Sequence, residues 1–353
     1  MYKKLFYKSM LGIIVMLILF YPANLIYVQS NWNGDLQKID AYTMLTRLNS
    51  EMDSADVFYF AESSNFSFSP EDTTQKYISV LINDCFPELK IIELDKGGMH
   101  AGVFRALISN IKDNAKTKTV VVTMNLRSFG SNWINSNAEN VCQELQIAYS
   151  GAPELYRKMR LVFKAYDYEE EWKRKEKFID NISHIKLRGP LPLSYPTAMA
   201  WGNSIADNKF RDSNGVPDAA KVELACHFVK NYAFNIDTLN NPRIKDFNQI
   251  VELCREKNIK VYFNLLAEDT ENADSLVGKE LVMIMRKNRD LLVHYYSRQG
   301  VQVIDNLELV RHVDYRDKDW PTEHYNQRGR TAIARHVAQY LKESFPGSKN
   351  LCE

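Results

Sequence analysis

The chain has 353 residues, enough for one large α/β domain or two modest ones with a well-filled core. Its 45% hydrophobic and 25% charged residues exclude a disordered chain. A formal net charge of +1, from 45 basic and 44 acidic side chains without a basic stripe, gives no field that would draw nucleic acid.

The N-terminus departs from this ordinary composition. Lys3, Lys4 and Lys8 precede an uncharged apolar run from Met10 to Val28, and no charge recurs until Asp35. A helix needs about 20 such residues to cross a bilayer. Lysines before the run and none just after it put the N-terminus in the cytoplasm and the remainder outside. Pro22 and Asn24 weaken the final turns, and Val28-Gln29-Ser30 offers a small-residue cleavage site, so a signal peptide is the competing reading. The length of the run favours an uncleaved anchor. Residues 1–34 are therefore read as anchor and linker, and 35–353 as the folded part, with the bilayer as a partner.

Next, Asp35 to Glu51 reads as a connecting helix with Leu36, Ile39, Met44, Leu45 and Leu48 near helical spacing. Short β-rich runs follow at Val57 to Ala61, Lys90 to Leu94, Thr119 to Thr123, Lys260 to Asn264 and Val301 to Asp305. They alternate with helical stretches at Thr73 to Asn83, Met99 to Ile111, Asp246 to Lys257, Leu276 to Gln299 and Gln327 to Glu343. Strands that are apolar throughout and separated by helices predict a parallel sheet covered on both faces. With right-handed crossovers this is an α/β, three-layer, doubly wound sheet.

The alternation breaks between about 130 and 241. This stretch reads as a helical insertion over one edge of the sheet. Its aromatics (Trp133, Tyr149, Tyr156, Tyr166, Tyr168, Trp172, Trp201) are expected mostly in the core, a sugar-stacking platform being the alternative. The charge run Glu169 to Lys177 reads as a solvated helix face. The five cysteines, Cys85, Cys142, Cys226, Cys254 and Cys352, lack Cys-x-x-Cys spacing, which gives no support for a metal site. Export would permit disulfides, but buried apolar thiols are the favoured reading. No cofactor is called for.

In open parallel sheets, ligands bind outside the carboxyl ends of the strands. Strand one ends in Ala61-Glu62-Ser63-Ser64-Asn65, and strand two is followed by Asp95-Lys96-Gly97-Gly98-Met99-His100. Strand three ends in Thr123-Met124-Asn125, strand four in Asn264 to Glu268, and after strand five comes a loop with Asp317, Asp319 and His324. A serine hydroxyl becomes a nucleophile when a neutral imidazole takes its proton, so Ser63 and His324 form a candidate pair. The Ser63 backbone N–H, a backbone N–H of Gly97 or Gly98 and the Asn125 amide would stabilise an oxyanion, each typically worth about 3 kcal/mol of barrier. Each residue also has a plain structural reading. Ser63 and Ser64 would cap a helix, Gly97-Gly98 would make a turn, Asn125 an Asx turn, and His324 a cap.

A Ser after strand one, a Gly after strand two, an Asn after strand three and a His before the last helix resemble the SGNH (GDSL-like) hydrolase superfamily. The resemblance runs over roughly Asp56 to Glu343 and implies a flavodoxin-like sheet with Ser63, Gly97 (or Gly98), Asn125 and His324 in the four hallmark roles. With an N-terminal anchor, the chain also resembles D-alanine transfer and alginate O-acetylation proteins. That implies an extracytoplasmic esterase or O-acyltransferase acting on acylated envelope glycans or small esters, with a membrane-bound O-acyltransferase as partner. Two departures stand out. The usual Gly-Asp-Ser is Ala61-Glu62-Ser63, and Pro321 occupies the place of the Asp three residues before the histidine. Asp319 is the first candidate to orient His324, Asp317 the second and Glu268 a weaker one, with a plain Ser–His dyad also open. His100, near the glycines, is a further candidate to touch substrate. A non-catalytic binding or scaffold protein on the same sheet is the alternative function, and a nucleotide binder is disfavoured by the lack of a phosphate loop.

Overall fold

The structure is a computed structural model and describes residues 2–30 and 41–352. Five strands, β1 (Val57–Ala61), β2 (Ile91–Asp95), β3 (Thr119–Met124), β4 (Lys260–Leu265) and β5 (Gln302–Asp305), form one sheet in the order β2-β1-β3-β4-β5. Every pairing is parallel. Alternate residues face opposite layers, as the two-residue period of a strand requires. Phe58, Phe60, Val120, Val122, Phe263 and Val303 face one apolar cluster. Val57, Tyr59, Ala61, Val121, Tyr262 and Ile304 face the other. The expected three-layer α/β architecture, a parallel sheet buried on both faces, is therefore present.

In chain order the helices are α1 (Tyr2–Gln29), α2 (Ala41–Glu51), α3 (Ile78–Cys85), α4 (Ala101–Ser109), α5 (Ser131–Ile134), α6 (Ala138–Tyr149) and α7 (Glu154–Val162). They continue with α8 (Glu171–His184), α9 (Ala198–Asn208), α10 (Ala219–Tyr232), α11 (Pro242–Glu256), α12 (Thr270–Leu276), α13 (Lys279–Ser297) and α14 (Gln327–Leu341). Residues 35–40 of the expected connecting helix lie outside the described residues. Two helices depart from the pattern for visible reasons. The expected helix from Thr73 begins only at Ile78, because the segment before it is extended and gives the Thr74 and Lys76 carbonyls to buried Arg330. The expected Leu276 to Gln299 helix breaks at Gly278, whose φ of +125° a glycine adopts at least cost.

Helix α1 carries a stretch, Phe6–Gln29, of mean hydropathy 2.2 that is long and apolar enough to cross a membrane. Its 24 residues reach about 36 Å at about 1.5 Å each, more than a hydrocarbon core of about 30 Å. Only 6% of the most apolar window is buried, unlike the core helix of a globular protein. Pro22 does not end the helix, and Asn24 finds a partner instead, its Oδ1 accepting from the Leu155 N–H at 3.0 Å. That N–H is one of the donors that the first turn of α7 leaves without an intrahelical acceptor.

The insertion's aromatics correct the expectation of a mostly buried set. Tyr149 and Trp201 are buried, Trp133 and Tyr166 half-buried, and Tyr156, Tyr168 and Trp172 exposed. Tyr166 and Tyr168 lie between α7 and α8 and the others on helices, and aromatic content alone does not say which face a residue occupies. The cysteine reading is also corrected. Cys85 and Cys352 form a disulfide between the end of α3 and the C-terminal segment, with their Cα atoms 5.1 Å apart. Cys142 and Cys254 are buried thiols and Cys226 is half-buried. The pair closes a loop of 267 residues, which chain entropy makes stabilising. Replacing Cys352 with Ser should lower unfolding stability in urea by about 2–4 kcal/mol. Equal midpoints with and without the bond would contradict this.

Candidate active site

The parallel register sets the stage. Ala61 pairs with Asp95 and Phe60 with Val122, so the residues leaving β1, β2 and β3 emerge at one edge. Ser63 lies two residues beyond its last pair, Gly97 two beyond Asp95, and Asn125 three beyond Val122. A short 3-10 turn, Ser63–Asn65, follows β1 and is tied to β2 by Asn65, whose Nδ2 donates to Asp95 Oδ2 at 2.6 Å. The turn faces Ser63 outward, half-buried, and turns Ser64 fully inward. Ser64, the sequence rival, is fully buried and its Oγ has no hydrogen-bond partner.

The histidine arrives by a second route. Beyond β5 the chain folds back on itself, with Tyr315 and Tyr325 bridged antiparallel and Arg316 N–H donating to His324 O at 2.8 Å. This return sets Asp317 beside the His324 ring. His324 Nδ1 lies 2.6 Å from Asp317 Oδ2, and its Nε2 lies 2.9 Å from Ser63 Oγ. Thr322 Oγ1 donates to the same Asp317 oxygen at 2.8 Å, fixing the carboxylate. Asn326 then caps α14 by accepting from the Arg328 and Gly329 N–H groups. Serine, imidazole and carboxylate thus form a continuous hydrogen-bonded line across 261 residues of sequence.

Asp317, the second sequence candidate, holds the imidazole. Asp319, the first, is exposed on the loop and makes no hydrogen bond to His324 among the described residues. Spacing along the loop favoured the nearer residue, but the antiparallel return at Tyr315 and Tyr325 brings back the one seven positions away. Glu268 does not touch His324 either; it accepts from the Tyr232 hydroxyl at 2.6 Å. His100, the further substrate candidate, is buried as the cap of α4. Its Nδ1 accepts from Gly102 N–H at 3.1 Å and its Nε2 lies 3.2 Å from Glu139 Oε2.

The remaining candidates keep ligand-ready features. Gly98 has φ +76°, so the turn after β2 requires a glycine-like conformation, and Gly97 beside it is exposed. The Asn125 carboxamide is buried, and its Oδ1 has no hydrogen-bond partner. No group of His, Cys, Asp and Glu capable of holding a metal ion occurs among the described residues. A cavity of about 790 Å³ beside Arg105, Glu139, Arg243 and Asp246 lies elsewhere. The hydrogen-bonded line at Ser63 does not border this cavity.

Beneath the serine is a buried charge cluster that sequence reading did not anticipate. Arg127 grips Glu323 with two bonds, Nε to Oε1 at 2.6 Å and Nη2 to Oε2 at 2.5 Å. Glu62 and Glu268 complete it, all three carboxyls being at most 5% exposed. Burial raises the Glu62 carboxyl above its usual range, and the Glu323 charge raises it further. The same causes, in the same order, push Glu268 well above it. One sign was available in the sequence: Glu62 and Glu323 each precede a candidate catalytic residue, where an outward side chain on one position implies an inward one on the next.

No family model matches the sequence, and no curated protein matches it. A solved structure from Bacteroides fragilis NCTC 9343, described as a "putative acylhydrolase", is similar at 11% identity with a TM-score of 0.32. The match covers 84% of this chain and 94% of that one. A likeness at that score carries no weight for chemistry, which rests on the geometry above.

The raised carboxyls make stability depend on pH. Folded values above the unfolded ones favour the protonated fold at low pH, and that contribution is lost as pH rises through the folded values. Each pH unit between the two costs about 1.4 kcal/mol. Glu268→Gln, which cannot ionise, should flatten the fall in melting temperature as pH rises above the ordinary carboxylate range. Parallel curves for wild type and variant would contradict this.

Proposed function

We propose that the protein is a serine esterase or O-acyltransferase of SGNH type. The carrying observation is the line from Ser63 Oγ through the His324 ring to Asp317, at 2.9 and 2.6 Å. Ser63 Oγ attacks the acyl carbonyl carbon while its proton passes to His324 Nε2, and Asp317 stabilises the imidazolium that forms. The negative charge on the carbonyl oxygen falls to the Ser63 N–H, a Gly97 or Gly98 N–H and the Asn125 amide at the same sheet edge. Collapse breaks the bond to the leaving oxygen, which takes the proton from Nε2. Water or a sugar hydroxyl then repeats the sequence in reverse on the acyl-serine.

The span in α1 supports a membrane-tethered enzyme. The Cys85–Cys352 disulfide supports an oxidising compartment, hence the outer side of the membrane. An acylated envelope glycan is the substrate class, and a membrane-bound O-acyltransferase the partner, that the family resemblance implies. Hydrolysis of p-nitrophenyl acetate by purified variants tests the chemistry. Ser63→Ala and His324→Ala should each lose at least about a thousandfold in kcat/KM. Asp317→Asn should lose on the order of a hundredfold or more, and Asp319→Asn should remain near wild type. A folded Ser63→Ala variant as active as wild type would leave only a non-catalytic binding role.

A further inference from the structure

We infer that Glu62 carries a proton and donates it in a hydrogen bond to the nucleophile, so that the site is a one-way chain from Glu62 through Ser63 and His324 to Asp317. This rests on the reading of Ser63 as nucleophile. The argument begins with the number of protons available. Ser63 Oγ lies 2.9 Å from Glu62 Oε2 and 2.9 Å from His324 Nε2. A serine hydroxyl has one hydrogen and can donate to only one of them. In the neutral ring, Nδ1 must bear the hydrogen because it faces the Asp317 carboxylate at 2.6 Å. Nε2 is then an acceptor waiting for the serine proton. An ionised Glu62 would compete for that proton and, as the charged acceptor, would win it. The hydroxyl would point away from its base.

A protonated Glu62 removes the conflict. Its O–H donates to Ser63 Oγ, and the serine O–H is left for His324 alone. The surroundings favour that form. Glu62 Oε1 is buried without a hydrogen-bond partner, which is tolerable for a neutral carbonyl oxygen and costly for half of a carboxylate. The neighbouring Ser64 hydroxyl, itself unpaired, favours the ionised form, but less than burial and the Glu323 charge oppose it. The charged groups facing Glu62 are Glu323 on the histidine loop and Arg127 after β3, which already satisfy each other through two bonds. Tyr59 on β1 and Tyr325 ahead of α14 also feel its charge, and both are neutral phenols pushed up by burial. No unspent cation faces Glu62 among these groups.

Through the reaction Glu62 keeps its proton. The Oγ–carbon bond forms, the serine proton moves to Nε2, and the Glu62 hydrogen bond stabilises the charge growing on Oγ as that proton leaves. Ionisation of Glu62 at high pH would then switch the serine towards the wrong acceptor.

The test is the rate at which a fluorophosphonate labels Ser63 across the pH range in wild type, Glu62→Gln and Glu62→Ala, with infrared difference spectra of the same proteins. Glutamine keeps a donor and cannot ionise. Wild type should show an alkaline fall in labelling; Glu62→Gln should label within about threefold of wild type near neutrality and lack the fall. Glu62→Ala should be slower by about tenfold, the factor for one hydrogen bond. A protonated-carboxyl stretch, present in wild type and missing from Glu62→Gln, should disappear over the pH range where labelling falls. An unchanged alkaline limb in Glu62→Gln, a Glu62→Gln loss as deep as that of Glu62→Ala, or no such stretch would overturn the role of Glu62 while labelling of Ser63 stood. Folded wild type that shows the stretch but does not label would overturn the nucleophile reading, and the catalytic role of Glu62 with it.

Discussion

The two-bond pair between Arg127 and Glu323 is the contact on which the site depends. One partner leaves the central strand β3, and the other immediately precedes His324, so the pair fastens the histidine loop to the sheet. Both are buried, and neither can be removed without stranding the other's charge in a dry interior. The loop held this way delivers the imidazole to within hydrogen-bond reach of Ser63. Arg330 does the equivalent for the opposite wall. From α14 it donates to the Ser67, Thr74 and Lys76 carbonyls and pairs with Asp72 at 2.9 Å, binding the segment after the nucleophile to the helix after the histidine.

The same economy of cations has a chemical consequence. Arg127 faces three carboxyls and can balance one, and burial with the Glu323 charge raises Glu62 and Glu268 above the usual carboxylate range. The protonated Glu62 proposed beside Ser63 would follow from that burial and from the direction each chain turn imposes. Tyr232 shows that the helices between β3 and β4 take part, since its hydroxyl reaches from α10 to Glu268. His227 on the same helix packs at a tilt against Trp320 of the histidine loop, with ring centroids 3.8 Å apart. The helical stretch therefore packs on the site edge of the sheet and on the loop that carries the imidazole.

Much of this was legible in the residues. Five apolar runs, each a few residues long and separated by helical stretches, lead to a parallel sheet because such strands must be covered on both faces. Once the sheet is accepted, Ser63, Gly97, Asn125 and His324 fall at its carboxyl edge by register and loop position. What could not be read is what depends on contacts between distant segments. Asp317 rather than Asp319 faces the ring because Tyr315 and Tyr325 bridge, and no local pattern announces that bridge. The Cys85–Cys352 bond needs the C-terminal segment to pass the end of α3, which Leu351 does by donating its N–H to Cys85 O at 2.9 Å. The exposed Tyr156 and Trp172 sit on helices, and Tyr168 on the segment between them, whose packing partners the sequence does not name.

The central claim is that one serine, and no other, is made nucleophilic by an imidazole brought from the far end of the chain. Peptide mapping by mass spectrometry after exposure to a phosphonate ester tests it most directly. The account predicts a single phosphonylated residue, Ser63, and no adduct at any serine when His324 is replaced by alanine. An adduct on Ser64 or another hydroxyl, or full modification of Ser63 without His324, would contradict it.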